Sequence, residues 1–262
     1  MRAMQVNGAE LYVEDTGGTG PAVVFSHGLL WSTKMWRFQV EALRSRFRCI
    51  AYDHRGQGRS EVTASGYDIE TLTLDAAALI EKLGVQPVHF VGLSMGGFVG
   101  MRLGARRPEL LKTLTLIETA PDGEPWFNVP KYKAMSALSS VVGIGPFVPI
   151  VMKIMFGRSF LHDPAKAAVR EEMKSQLLGI NVPGMRHALD GVIHRKPFRE
   201  HVRVPTTVVS GEEDAAVKPA RSRKLLEMIP GAKWVSIPQA GHTSSMEQPE
   251  AVTAALLAQF GI

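Results

Sequence analysis

The chain of 262 residues has one cysteine, Cys49, so no disulfide can form within it. Cys49 lies in the apolar run from Phe47 to Tyr52, where a buried structural thiol is expected rather than a reactive one. Aromatic residues are scarce at 7%, but hydrophobic residues together reach 45% against 21% charged, which excludes a disordered chain and supports a large core. No block of one charge sign is present. Lysines and arginines are dispersed among the acids, so the net charge of +5 describes a mixed, solvated surface and no nucleic-acid-binding face. There is no internal repeat and no low-complexity linker. The opening residues Met1-Arg2-Ala3-Met4-Gln5 lack the apolar stretch of a signal peptide, which with the lone thiol points to a cytoplasmic setting. The one long stretch poor in charge, Ser136 to Gly157, carries only Lys153 and is broken by Gly143, Gly145, Pro146 and Pro149. Two short apolar helices joined by a Gly/Pro turn are expected there, with no membrane partner.

What is present is an alternation. Leu11–Glu14, Ala22–Phe25, Arg48–Tyr52, Val88–Val91 and Leu111–Ile117 read as strands, several of them continuous apolar runs of the kind buried on both faces. Helical patterns lie between them at about Ser32–Arg44, Ile69–Leu83 and Met95–Ala105, the second stopped by Gly84. From about Pro121 to Glu200 the pattern turns helical, rich in Met and Phe and punctuated by Pro and Gly. The alternation then resumes with strand Thr206–Val209, helix Ala220–Met228, strand Lys233–Ile237 and a last helix from Glu247 to about Phe260. A mostly parallel α/β core (residues 1–120 and 201–262) carrying an inserted helical cap (121–200) explains this order.

The strongest local signal is Gly92-Leu93-Ser94-Met95-Gly96-Gly97, a G-x-S-x-G placed between a buried strand and a helix. A sharp strand-to-helix turn presents the central hydroxyl at the carboxyl edge of the sheet, and the flanking glycines let backbones approach closely. The helix that follows aims its first N–H groups at the place where negative charge develops in acyl transfer. A serine hydroxyl needs an adjacent base, and of eight histidines His242 stands in the loop between the last strand and the last helix. Its acid partner is expected after the strand Thr206–Val209. Asp214, third beyond Gly211, is preferred to Glu212 and Glu213, which are expected to face solvent, and Glu118 is the lower-ranked alternative. Oxyanion donors are expected from the N–H groups of Met95 and Leu29. Gly28 would allow an unusual turn in the second of these loops, and His27 would hold that loop in place.

His27-Gly28, Asp53-His54-Arg55-Gly56-Gln57-Gly58-Arg59-Ser60, the elbow, Gly211-Glu212-Glu213-Asp214 and Gly241-His242 together resemble the α/β-hydrolase superfamily. That resemblance implies an eight-stranded, mostly parallel sheet flanked by helices, and a Ser94–His242–Asp214 triad. Met35-Trp36, the elbow and Glu247-Gln248-Pro249 are most similar to 3-oxoadipate enol-lactonases and small carboxylesterases, with similar pieces in cofactor-free haloperoxidase/perhydrolases and acyl-homoserine lactonases. The expected substrate is a small ester or lactone. The alternatives are perhydrolysis, a ligand receptor that hydrolyses slowly, and a lipase acting at membranes. Trp31, Trp126, Phe127, Met135, Met152, Met155 and Phe156 are the expected apolar pocket lining. Lys131, Lys133 and Arg158 are cations within the same region, expected to be solvated or to meet an anionic substrate group. No metal-ligand spacing and no phosphate-binding glycine loop is visible, so no cofactor is expected. The sequence leaves the oligomeric state open.

Overall fold

Residues alternate across the central strands, and that alternation builds the molecule. The computed structural model describes residues 1–262, with eight strands: β1 (Arg2–Val6), β2 (Ala9–Asp15), β3 (Ala22–Ser26), β4 (Arg48–Tyr52), β5 (Val88–Leu93), β6 (Leu111–Ile117), β7 (Thr206–Gly211) and β8 (Lys233–Ile237). They form one sheet in the order β1-β2-β4-β3-β5-β6-β7-β8. Pairings from β4 to β8 are parallel, while β1 with β2 and β2 with β4 are antiparallel. Every residue of β3, β5 and β7 is buried, as expected of parallel strands covered on both faces.

The core helices are α1 (Arg37–Leu43), α2 (Ile69–Leu83) and α3 (Met95–Arg106). Between β6 and β7 the chain makes α4 (Val129–Val142), α5 (Val148–Met155), α6 (Arg158–His162), α7 (Ala167–Leu178) and α8 (Val182–Ile193). It closes with α9 (Pro219–Met228), α10 (Ser244–Glu247) and α11 (Pro249–Phe260). Val24, Phe90 and Val208 point to one face and pack with Leu72 of α2, Phe98 of α3 and Leu225 of α9. Phe25, Val91 and Val209 point to the other and pack with Leu43 of α1 and Leu256 of α11. Met152, Phe156, Phe160, Met173 and Leu177, all from the segment between β6 and β7, join that second cluster. The inserted helices therefore share apolar packing with the sheet.

Local signals explain the boundaries. Asp68 Oδ1 accepts the Thr71 N–H at 2.9 Å to start α2, and Gly84, at φ 62°, ends it in the left-handed conformation. The weakly charged stretch is resolved as α4 and α5, separated at Gly143 (φ 73°) and by a 3₁₀ turn over Gly145–Phe147. No helix is long and apolar enough to cross a membrane. The edge strand β1 has no counterpart in the sequence reading, although Asn7-Gly8 (φ 46° and 76°) is the pair favoured in a two-residue hairpin turn.

Candidate active site

The parallel strands end together, and the loops leaving their carboxyl ends converge on one point. Ser94 follows β5 directly, in a strained conformation at φ 52° and ψ −109°, with its N–H donating to the Ile117 carbonyl at 2.9 Å. The turn exists because of its glycines. A Cβ at Gly92 would collide with the Gly96 carbonyl, and one at Gly96 with the Ser26 carbonyl of the neighbouring strand.

His242 and Asp214 meet this serine. Ser94 Oγ lies 2.8 Å from His242 Nε2, and His242 Nδ1 lies 2.8 Å from Asp214 Oδ2. An ionised carboxylate only accepts, so Nδ1 carries the ring proton and Nε2 is left to accept from the serine hydroxyl. The other Asp214 oxygen accepts the N–H groups of Ala216 at 2.8 Å and Val217 at 2.9 Å, which fixes the carboxylate plane. Glu212 is exposed and accepts from Ser236 Oγ at 3.0 Å. Glu213 departs from the solvent-facing expectation: it accepts the Ser159 N–H at 2.7 Å at the start of α6 and ties the core to the inserted helices.

Glu118 lies behind Asp214 and does not bond to His242. It is fully buried at φ 49°, and its two oxygens accept the Gly211 N–H at 2.8 and 2.9 Å. Burial and the adjacent Asp214 charge push its carboxyl well above the usual range. Glu247 shapes the histidine loop. One oxygen accepts the N–H of Gly241 at 2.9 Å and of Gly157 at 2.8 Å, and the other accepts the Thr243 N–H at 3.1 Å.

Leu29 N–H makes no hydrogen bond within the protein, and Met95 is the first residue of α3, where a helix leaves its N–H groups without an intrahelical acceptor. Gly28 brings the Leu29 loop close to the serine: a Cβ there would lie 3.3 Å from Ser94 Cβ. Its value is this close approach and not an unusual turn, because the left-handed residue in the loop is Leu30, at φ 76°. His27 and Gln57 hold the loop. His27 Nδ1 donates to the Gly28 carbonyl at 2.7 Å, its Nε2 accepts the His54 N–H at 3.0 Å, and Gln57 Oε1 accepts the Leu30 N–H at 2.9 Å. Burial brings His27 down to about 4, so it is neutral and cannot serve as a charged group. The same effect pushes the Cys49 thiol up to about 12 and keeps it inert. No three His, Cys, Asp or Glu side chains are grouped to hold a metal ion.

Residues 23–255 match the alpha/beta hydrolase family over most of the chain. This protein belongs to that family. BpoC of Mycobacterium tuberculosis H37Rv, named as a non-heme bromoperoxidase, is 33% identical over 256 residues, covering 94% of this chain and 96% of its own. The crystal structure of the enol-lactonase from Burkholderia xenovorans LB400 superposes with a TM-score of 0.91 at 30% identity, covering 100% of both chains. A thermophilic esterase from Thermogutta terrifontis gives 0.91 at 28% identity, over 99% and 98% of the two chains.

This α/β hydrolase carries a cavity of about 130 Å³ above Ser94 and His242, walled by Gly28 and Leu29 below and by Tyr132, Met135, Ile144 and Met155 above. Of the expected lining, Trp31, Met135 and Met155 stand in the wall. Met152 and Phe156 do not. They are buried in the second core cluster, with Phe156 stacked on Phe160 at 5.0 Å, and so support the wall from behind. Trp126 and Phe127 lie outside the cavity wall: they are 82% and 65% exposed in the turn before α4, edge-on to each other. Lys131, Lys133 and Arg158 are exposed and outside the cavity. The cation in its wall is Arg195, which had no signal in the sequence beyond its place in the basic triplet His194-Arg195-Lys196.

Proposed function

We propose that this α/β hydrolase cleaves a small carboxylic ester or lactone through an acyl-enzyme on Ser94. The observation that carries the reading is the unbroken hydrogen-bonded chain from Asp214 through His242 to Ser94, opening into a small apolar cavity. His242 Nε2 takes the hydroxyl proton as Ser94 Oγ attacks the substrate carbonyl carbon, and the carbonyl electron pair moves onto oxygen. The N–H groups of Leu29 and Met95 hold that oxyanion. When the carbonyl reforms, the bond to the leaving alkoxy oxygen breaks and His242 returns the proton to it. Water then attacks the Ser94 ester, giving its proton to His242, and the acid departs as Ser94 is reprotonated. Asp214 keeps the histidine in the required tautomer and balances its transient charge. The helices between β6 and β7 act as the cap, and residues 121–200 form that unit.

The cavity volume favours small acyl groups, since a void of about 150 Å³ accommodates a molecule the size of benzene. Turnover of short and long p-nitrophenyl esters, aliphatic lactones and acyl-homoserine lactones tests the reading. Wild type is expected to favour short acyl groups and small lactones, and Ser94→Ala to lose roughly 10⁴–10⁶-fold in kcat. A folded Ser94→Ala protein that retains a tenth of wild-type turnover would overturn the mechanism.

The likeness to BpoC favours a second reading on the same atoms, in which hydrogen peroxide replaces water and the acyl-enzyme yields a peracid that oxidises bromide. Peroxide- and carboxylate-dependent bromination of a halogen acceptor, set beside ester hydrolysis, separates the two.

A further inference from the structure

The helix α4, 14 residues long, buries only Ser139. Its inner side, with Tyr132, Met135 and Ser136, lines the cavity. At about 3.6 residues per turn, Leu138 and Val141 fall on the opposite side, and Lys131 and Lys133 on its two flanks. Trp126 and Phe127 before this helix, Val142 at its end and Ile150 of α5 are exposed as well, Trp126 the most at 82% and Ile150 the least at 40%. Leu178 of α7 reaches the turn between α4 and α5, where a Cβ at Gly145 would lie 3.8 Å from its Cδ2. Apart from Met1, Val62, Leu74 and Ile262, no other large apolar side chain of the molecule is exposed. Exposed apolar residues scattered singly need no explanation, whereas a gathering of them on one segment marks an interaction surface.

Charge decides what covers this surface. From Pro125 to His162 the chain has no Asp or Glu, while Lys131, Lys133, Lys153 and Arg158 are exposed and take part in no ion pair. Bordering acids are held by other groups. Glu124 faces Arg195 at 3.4 Å, Glu213 accepts the Ser159 N–H at 2.7 Å, and Glu171 and Glu172 pair with Lys174 and Arg37. Next to Ile150, a hollow has the same make-up, with Pro149, Met152 and Leu178 in its wall beside Lys153 and Arg158. A twofold contact between copies would set these cations against their own equivalents, with no acid of the patch to pair them. An anionic bilayer suits both features: apolar side chains and the Trp ring enter the acyl boundary while lysines meet the headgroups. We infer that the outer side of α4 and α5, together with Trp126 and Phe127, docks this protein on an anionic lipid surface. The contact is peripheral, since no helix is long and apolar enough to cross a membrane. Docking sets the roof of the cavity against the lipid, because Ile154 and Met155 of α5 line that cavity from the other side.

Co-sedimentation with vesicles tests the surface without any turnover at Ser94. Wild type is expected to bind vesicles of phosphatidylcholine and phosphatidylglycerol in equal parts at least about 10-fold more tightly than phosphatidylcholine alone, and to lose most of that preference at high salt. Val141→Glu with Ile150→Glu should weaken binding to the mixed vesicles by about 10-fold or more. Lys131→Gln with Lys133→Gln should reduce the preference for the anionic lipid and leave binding to phosphatidylcholine alone unchanged. All four side chains are exposed and outside the cavity, so the variants should keep the wild-type circular dichroism and thermal midpoint. Failure of wild type to bind the mixed vesicles, or folded variants that bind as wild type does, would overturn the inference. So would a dimer in analytical ultracentrifugation that Val141→Glu dissociates, because the face would then belong to a second copy.

Discussion

Eight histidines are available, and burial with hydrogen bonding decides what each can do. His242 is held on both ring nitrogens by groups that suit a general base. His27 and His54 are just as close to the sheet edge, but full burial pushes both below the ordinary imidazole range, His27 to about 4 and His54 well below it. As pH falls from 6.5, the unfolded chain takes up a proton that folded His27 refuses until about pH 4. Its contribution to stability is thus fully present above 6.5 and is lost between 6.5 and 4. Urea unfolding at pH 7 and pH 4.5 should show a smaller stability difference in His27→Gln than in wild type, by about 2–3 kcal/mol. His89, displaced in the same direction, is common to both proteins, while His54 owes part of its own displacement to His27. An unchanged pH dependence in the variant would contradict this account of His27.

At the scale of elements, the elbow depends on how closely α3 crosses β3. Any side chain at Gly96 meets the Ser26 carbonyl, which is backbone and cannot swing aside. Gly96→Ala should cost about 3 kcal/mol or more in urea unfolding. Gly179→Ala, where the added methyl comes no nearer than 3.6 Å to a neighbour, should change stability by less than about 0.5 kcal/mol. Equal effects would mean that the crossing has slack. Elements governed by local rules were legible in the sequence. The buried runs β3, β5 and β7, the stop at Gly84 and the break at Gly143 each follow from nearby residues alone. The edge strand β1 was not, because Arg2, Ala3 and Gln5 are exposed and leave only Met4 and Val6 as a pattern. The final helix also divides, at Gln248, where a chain reading shows only Pro249.

At the scale of the molecule, the meeting of Ser94, His242 and Asp214 was legible because each sits in a loop whose place is set by strand order. The pocket was not. Its wall brings Trp31 from the β3 loop together with Met135 and Met155 of the inserted helices and Arg195 beyond them, and such proximity depends on how those helices lie over the sheet. Met152 and Phe156 look no different from Met135 in the sequence, yet the packing turns them inward. Glu213 and Glu247 fix that placement. Glu213 accepts from Ser159 of α6, and Glu247 joins Gly157 to the Gly241 N–H beside His242. The buried Glu247 carboxylate thus ties the inserted segment directly to the histidine loop.

The most direct measurement is intact-mass and peptide analysis after exposure to diisopropyl fluorophosphate. Wild type should gain one diisopropylphosphoryl group, located on Ser94, while folded Ser94→Ala gains none and His242→Ala reacts at least about 10²-fold more slowly. An adduct on another residue, or labelling of Ser94→Ala at the wild-type rate, would contradict the assignment of Ser94 as the nucleophile.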